Sequence, residues 1–288
     1  MKPHSINEAL ERSDIEELVM SLPAFPRSVT EICQITENIH ASARDLVNVV
    51  ESDPVLTGHI LKLVNSSFFG LQRPMENVKQ ALVFVGMNTT KHLALCVAAL
   101  GALPRQNESG LPFGSMRRRA VSAAAITRHL SQLLNRGGRE SEAAFLSGLL
   151  HNLGQIALGL HNPEQYVQVL ADSAEDHDAL AEMETRAFGI NHHEVSALIA
   201  RRWQIASRVC ETVRDYSTLD DSVERSATMD LLYAATRALD AIDHRTEDAL
   251  ELPENLEERL GLTTTQLAME IPNLIASVHK ARVFLDHV

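Results

Sequence analysis

Apolar residues along this chain recur at intervals of three and four, which is the repeat of an α-helix with one buried face. No segment alternates apolar and polar residues as a half-exposed strand would. Helix-start signals accompany the repeat, either as Ser, Thr or Asn three residues before Glu or Gln, or as Asp or Asn directly before proline. They occur at Ser5, Ser28, Asp53-Pro54, Asn162-Pro163, Asn191 and Thr263. The sequence therefore predicts an all-α protein of about a dozen helices.

The composition is that of a globular protein, with 288 residues, 45% of them hydrophobic and 22% charged. No apolar run reaches the ~20 residues that cross a bilayer, and residues 1–14 lack the apolar core of a signal peptide. We therefore expect a cytoplasmic protein with no membrane association. Its three cysteines are isolated in the sequence. Neither a disulfide framework nor a Cys-based zinc site is expected, and no cofactor is indicated.

A basic segment stands out against the net charge of −12. Residues 117–139 contain six arginines and no acidic residue. Helical spacing puts Arg119 on the inward apolar stripe, whereas Arg117 and Arg118 point elsewhere. An inward charge requires a partner or an anion. The overall charge argues against nucleic-acid binding, so a DNA-binding regulator that reads DNA with this helix is a minor alternative.

The segment "FLSGLLHNLGQIALGL", residues 145–160, is apolar almost all round, which predicts a central helix over roughly 141–160. This run contains the adjacent polar residues His151 and Asn152. Such a pair is usually hydrogen-bonded within a core, but it also has the form of a metal-binding doublet that has lost its acid. His192, on the inward face of a helix that opens at Asn191, is a further candidate for the same site.

The surrounding segments resemble a known family. "HNLG" at 151–154 is similar to the "HDxG" doublet of the HD superfamily of metal-dependent phosphohydrolases. Five longer segments stand in the order seen in the HDOD family, the HD-related output domain of bacterial signalling proteins. They are "LPAFPRSV" (22–29), "ESDPVLTGHILKLVNSSFFG" (51–70), "VKQALVFVGMNTTKHLAL" (78–95), "GLLHNLG" (148–154) and "FGINHHEVSALIARRW" (188–203). The resemblance covers roughly residues 15–216, and the second segment is its most specific part.

The resemblance implies a helical N-terminal subdomain packed on an HD-like five-helix bundle. We place the subdomain at residues 1–106, the bundle at 107–217, and a C-terminal helical extension packed on the bundle at 218–288. Capping and turn formation explain most of the second segment, and its phenylalanines, Phe68 and Phe69, are expected to fill the junction between the subdomains. The motif residues expected to be structural are Asp53, Pro54, Asn65, Ser66, Phe69 and Gly70.

The resemblance also implies what an active site would need. A working HD site combines an earlier His, the His-Asp doublet and a later Asp or further His residues, and its carboxylate offsets the charge of the metal. Here Asn152 replaces the acid, Arg119 stands where the first His is expected, and Asp215-Tyr216 replaces a later His pair. We therefore expect no metal site, no catalytic residues and no enzyme activity. Arg119, His151 and Asn152 are instead expected to satisfy one another as a polar plug, with His192 completing a vestigial pocket.

The leading hypothesis is a non-catalytic signal-transduction protein that acts through protein–protein interaction. The partners implied by the resemblance are enzymes of cyclic-di-GMP synthesis or breakdown, histidine kinases and response regulators. No such domain lies within these residues, so a partner would be met in trans. Candidate docking residues are Arg117, Arg118, Asp220, Asp221, Asp240 and Asp243.

The alternative is a divergent phosphohydrolase or a nucleotide- or phosphate-binding protein. In that case His151, Asn152 and His192 would hold one metal weakly, or Arg119 would hold a phosphate without metal.

Overall fold

The computed structural model describes residues 12–21, 26–38, 40–66, 69–101, 110–136, 139–173, 177–219, 224–244, 250–282 and 285. Within these ranges the chain forms fifteen α-helices and no strand. The predicted all-α fold class is therefore confirmed. The helix-start signal at Ser5 falls outside the described residues.

Five helices form the first part of the chain, and four of them pack against one another. The helices are α1 (Arg12–Ser21), α2 (Arg27–Glu37), α3 (Ala43–Glu51), α4 (Pro54–Val64) and α5 (Val78–Gly101). The mutual packing involves α2 to α5. Gly86 interrupts α5 with a φ of +83°, a left-handed conformation that glycine adopts without steric cost.

Asp53 fixes the start of α4 and joins it to α2. Its carboxylate accepts the backbone N–H groups of Val55 and Leu56 at 3.1 and 3.0 Å, and the Ser28 hydroxyl at 2.7 Å. The bonds from Leu56 and Ser28 hold the pKa of Asp53 below its ordinary value. The prediction that Ser28 caps α2 is wrong, because α2 begins at Arg27 and the Ser28 hydroxyl donates to Asp53 instead.

Asn65 folds the segment after α4 back on itself. Its side-chain amide donates to the carbonyl of Met75 at 2.9 Å and its oxygen accepts the Met75 N–H at 2.6 Å. Ser66 bonds the last turn of α4 through its hydroxyl. Gly70 has a φ of +61°, the left-handed turn expected from the sequence. These motif residues thus hold the turn after α4 together.

Phe69 is half-buried and packs against the main hydrophobic cluster, which includes residues of both the N-terminal helices and the later bundle. This position agrees with its expected place at the junction. The other phenylalanine of the motif, Phe68, lies outside the described residues.

Seven helices follow, and five of them contact one another in a closed ring. They are α6 (Phe113–Leu133), α7 (Arg139–Leu150), α8 (Leu153–His161), α9 (Pro163–Asp172), α10 (His177–Phe188), α11 (His192–Arg202) and α12 (Ser207–Asp215). The ring runs α6, α7, α12, α11, α8 and back to α6, as expected of an HD-like five-helix bundle. The α9–α10 pair packs outside the ring, and α1 also lies on α8 and α11. The expected boundary at residue 106 is outside the described residues and stays a prediction.

The prediction of one continuous helix over 141–160 is wrong, because α7 and α8 are separated by a turn at His151-Asn152. Bonds to Ser196 of α11 hold this turn. The Ser196 hydroxyl accepts the Gly154 N–H at 2.7 Å and donates to the His151 carbonyl at 3.1 Å. The apolar pattern runs through the turn because both helices are buried.

The last three helices form a second hydrophobic cluster with one face of α6. They are α13 (Ala227–His244), α14 (Glu254–Leu260) and α15 (Thr264–Ala281). Both α13 and α15 pack directly on α6. The central helix α6 therefore faces the main core on one side and the C-terminal extension on the other.

One described stretch, Glu140–His161, is long and apolar enough to cross a bilayer by length and composition alone. The two arms of α5 would pass the same test together, but they are bent by 110°. The Glu140–His161 window is 94% buried inside the protein. Its apolar surface is thus already covered by neighbouring helices, as in the core helix of a globular domain.

Gly154 allows α8 to touch the backbone of α11, and its replacement by Ala should destabilise the fold. A Cβ at this position would lie 2.1 Å from the carbonyl oxygen of His192, which is backbone and has little freedom to move. We expect Gly154→Ala to lower the free energy of unfolding by about 3 kcal/mol, measured by denaturant titration. Gly58→Ala is the matched control, because its Cβ meets nothing within 4 Å. An equal loss of stability in both variants would contradict the close packing described at Gly154.

Candidate functional site

Three of the four predicted pocket residues line one small cavity. Arg119, His151 and His192 face a space of about 20 Å³ between α6, α8, α11 and α13. That volume holds about one water molecule. Asn152 stands next to His151 but is absent from the cavity wall. Three of the four residues expected in the pocket therefore lie together, around a cavity of about one water molecule.

His151 is buried and neutral. Its Nδ1 donates to the carbonyl of Gly148 at 2.7 Å, since a carbonyl can only accept, and its Nε2 has no hydrogen-bond partner among the residues that the structure describes. Burial, together with repulsion from Arg119, lowers the pKa of His151 to about 3. The ring therefore presents an unprotonated nitrogen inside the protein at neutral pH.

Asn152 uses its amide as a structural donor. Its Nδ2 donates to the carbonyl of Met116 on α6 at 2.8 Å, and the side chain is fully buried. A carboxylate at this position could not donate that bond and would face the carbonyl oxygen instead. The amide that replaces the acid of the doublet is thus part of the packing between α6 and the turn before α8.

Arg119 binds the C-terminal extension rather than the doublet. Its Nη2 lies 2.7 Å from Oδ1 of Asp240, and its Nη1 lies 3.7 Å from Oδ2 of Asp243. The Arg119 and Asp240 side chains are only 12% and 10% exposed. The prediction that Arg119, His151 and Asn152 satisfy one another is wrong, because α13 supplies the partner of Arg119. Asp240, expected as a docking residue, is buried in this ion pair.

Sequence reasoning missed Glu184, a fully buried carboxylate on α10. Its Oε2 accepts both the Nδ1 proton and the backbone N–H of His192, at 2.6 and 2.7 Å. Its Oε1 accepts the hydroxyl proton of Tyr166 at 2.6 Å, and burial raises the pKa of that tyrosine well above its usual value. Glu184 lies on the buried stripe of α10 between Leu180 and Phe188, so helical spacing could have found it.

Aromatic rings complete the pocket. The ring of His193 is tilted by 45° against that of His192 with a centroid distance of 3.9 Å, and it meets Tyr216 edge-on at 5.0 Å. Tyr216 also approaches His151 at 6.2 Å. Its presence in the wall agrees with the expected position of Asp215-Tyr216 in the bundle. Asp215 instead pairs with Arg214, at 2.6 Å.

The donor set does not fit the metal centre that the HD resemblance implies. Within the described ranges, no group of three or more His, Cys, Asp and Glu side chains could hold a metal ion. Asn152 provides a neutral amide where the doublet would have an acid, and Arg119 with Asp240 forms a pair of zero net charge. The wall therefore offers little negative charge to offset a divalent cation.

The arginines of the basic segment do not form one exposed surface. Five of them, Arg119 included, have described side chains, and of these only Arg118 is exposed. Arg136 pairs with Glu140 at 3.3 Å. Arg117 is half-buried, which corrects its expected exposure. Asp220 and Asp221 lie outside the described residues. Among the expected docking residues, Arg118 and Asp243 are the exposed ones that the structure describes.

The depressed pKa of His151 predicts a loss of stability in acid. The unfolded chain gains a proton near pH 6.5, whereas the folded chain does not until about pH 3, so stability falls as the pH drops through this window. Between pH 7.5 and 5 this costs about 2 kcal/mol. We expect His151→Gln to reduce the pH dependence of the unfolding free energy by that amount. His40→Gln, at an exposed position, serves as the control. Identical pH profiles for wild type and His151→Gln would contradict a neutral His151.

Restoring the acid of the doublet should destabilise the protein and restore no metal site. We expect Asn152→Asp to lower the unfolding free energy by about 3 kcal/mol, because a buried carboxylate would face the Met116 carbonyl. Asn77→Asp is the matched control, since its exposed side-chain oxygen accepts the Gln80 N–H and a carboxylate can do the same. Denaturant titration and elemental analysis check this pair of variants. Stoichiometric metal in Asn152→Asp with undiminished stability would show that the site description is wrong.

Comparison with known proteins finds relatives in sequence and in fold. An uncharacterized protein of Treponema pallidum (strain Nichols) is 25% identical over 215 residues, or 74% of this chain, and this match spans 40% of that protein. The chain thus corresponds to less than half the length of this relative. A solved structure from Shewanella amazonensis SB2B, provisionally named a phosphohydrolase, has a TM-score of 0.75 at 22% identity, over 95% of this chain and 98% of that one.

Two further solved structures share the fold. A protein of Marinobacter aquaeolei VT8, provisionally named for signal transduction, has a TM-score of 0.76 at 23% identity, over 99% of this chain and 63% of that one. An HDOD domain protein of unknown function from Geobacter sulfurreducens has a TM-score of 0.73 at 18% identity, over 94% and 96% of the two chains. The sequence profile of the HDOD domain matches residues 22–219, well over half of the sequence. This chain belongs to the HDOD domain family.

Proposed function

We propose that this chain is a non-catalytic signal-transduction protein that acts by binding partner proteins. The observation that carries the proposal is that three polar side chains at the HD pocket each make a structural bond. Asn152 holds Met116, His192 is bonded to Glu184, and Arg119 is paired with Asp240. A pocket whose polar side chains serve the packing of helices is suited to a scaffold rather than to turnover.

The size of the cavity supports the same proposal. A phosphodiester and its attacking water need far more than the space of about one water molecule that 20 Å³ provides. The neighbouring cleft of about 540 Å³ shares Arg119 and Gln155 with the pocket. Much of its remaining wall is apolar, with Met116, Val167 and Leu170, and Asp243 and His244 are its other ionisable residues. Among the described residues no group of three or more His, Cys, Asp and Glu side chains could hold a metal ion, so this cleft also lacks the metal centre of an HD phosphohydrolase.

Membership of the HDOD family supports a role in bacterial signalling, and a structural relative is provisionally named for signal transduction. The partners we propose are enzymes of cyclic-di-GMP synthesis or breakdown, histidine kinases or response regulators, bound in trans. The exposed Arg118 on α6 and the half-exposed side chain of Asp243 on α13 attract each other across the seam between these helices. We place the partner contact on this seam.

Capture of partners from cells of the source species tests this function. The chain is used as bait, and enriched proteins are identified by mass spectrometry and then retested as purified proteins. We expect at least one signalling protein of the three proposed classes to bind directly. Arg118→Glu should weaken that binding, whereas Arg73→Glu, an equal charge change at an exposed position on another part of the chain, should not. If no signalling protein exceeds the background of an unrelated acidic bait, the partner hypothesis fails.

An activity assay tests the competing function. Purified chain is incubated with Mn²⁺, Fe²⁺ or Ni²⁺, and hydrolysis of bis(p-nitrophenyl) phosphate and of cyclic dinucleotides is followed. We expect substoichiometric metal and no turnover above that of an Arg119→Ala/His151→Ala double variant. Stoichiometric metal together with turnover that the double variant lacks would establish a divergent phosphohydrolase instead.

A further inference from the structure

A second cleft, which shares no described lining residue with the HD pocket, lies where three parts of the fold meet. Its volume is about 370 Å³, within the range of pockets that hold small ligands. One wall comes from the N-terminal helices, one from the C-terminal half of α6, and one from α15. The side chains that matter here are Phe69, Phe84, Arg128, His129, Ser277 and Lys280.

The N-terminal wall is aromatic. Phe84 on α5 is 50% exposed, and Phe69 is half-buried beside it in the lining. A phenylalanine ring that is left half in water keeps a large apolar face unburied. Such a face provides a stacking surface for a planar ring, because stacking requires no particular hydrogen-bond pattern.

The opposite wall is cationic. Arg128 and Lys280 line the cleft, and none of its described lining residues is Asp or Glu. Burial lowers the pKa of Arg128, and the carboxylate of Glu142 on α7 acts in the opposite direction. Glu142 and Glu270 are not among the described lining residues, so the charged side chains described in the lining are cations, which favours an anion.

The floor is polar and already ordered. His129 is bonded to Ser277 through Nδ1 at 3.0 Å and to Glu270 through Nε2 at 3.3 Å. These bonds join α6 to α15 and thereby fix the two helices that carry Arg128 and Lys280 relative to each other. A ligand would therefore meet a preformed site rather than one that it must assemble.

We propose that this cleft binds a small anion that carries a planar aromatic ring, of the nucleoside monophosphate class. The ring stacks on Phe84 and Phe69, and the phosphate is held by Arg128 and Lys280. Because the walls belong to three regions of the chain, an occupant stabilises their mutual packing. The site is independent of the proposed partner-binding function, since none of its residues lies on the seam between α6 and α13.

Binding of adenosine 5′-monophosphate to the full chain tests the proposal, with adenosine and inorganic phosphate as the two fragment probes. Isothermal titration calorimetry should show saturable binding of the monophosphate, and each fragment should bind about tenfold more weakly or worse, because each uses one wall only. If phosphate binds as tightly as the monophosphate, the aromatic wall does not contribute to binding and the proposal is wrong. If adenosine binds as tightly, the cations do not hold the phosphate and the proposal is equally wrong. Absence of saturable binding by all three overturns the site.

Variants at exposed positions locate the binding. Phe84→Ser and Lys280→Gln should each weaken monophosphate binding about tenfold, the effect of losing a stacking surface or a phosphate contact. Val83→Ser is the matched control for the first, because Val83 is 77% exposed on the same helix and does not line the cleft. Lys62→Gln is the control for the second, at an exposed position on α4. Equal affinity in all four variants overturns the assignment to this cleft, and thermal melts verify that each remains folded.

Discussion

The close approach of helix backbones at Gly148 and Gly154 is the constraint on which the centre of this protein depends. A Cβ at Gly148 would lie 2.7 Å from the backbone of Ala124 on α6, and one at Gly154 would lie still closer to the backbone of His192 on α11. The absence of two side chains therefore sets how near α7 lies to α6 and α8 to α11. The turn at His151-Asn152 falls between these two contacts, so its side chains are enclosed by all four helices.

The enclosure explains the chemistry of the pocket. The imidazole of His151 is buried, has no carboxylate bonded to it in the described structure, and is neutral at pH 7. The imidazole of His192 instead has the carboxylate of Glu184 as a hydrogen-bond acceptor. Arg119 could not stay inside without an opposite charge, and α13 provides one. The C-terminal extension is thus more than an addition to the HDOD region, because it supplies the counter-charge for a residue of the bundle.

Helical periodicity predicted which face of a helix a residue occupies better than it predicted which helices contact each other. The inward position of Arg119 followed from the spacing of apolar residues on α6, and Glu184 could have been found on α10 in the same way. The partner of Arg119 could not, because Asp240 is 121 residues away and spacing does not say which helix faces which. The division of α7 from α8 was missed for a similar reason, since the hydroxyl that bonds the turn between them belongs to Ser196 on another helix. The family motifs gave the turn at Asn65 and Gly70, because capping and left-handed conformations are local properties.

The pairing of Arg119 with Asp240 also bears on how such a protein can evolve. An ancestor with metal chemistry could lose it in one step, but the way back is closed to single substitutions. Replacement of Arg119 alone leaves Asp240 buried without its cation, and replacement of Asp240 alone leaves the arginine with only its longer contact to Asp243. An intermediate on either route is less stable than its parent, and selection removes it before a third change can provide a ligand. The ion pair therefore makes these two positions hard to convert into metal ligands by single substitutions, whatever advantage a metal-dependent activity would have.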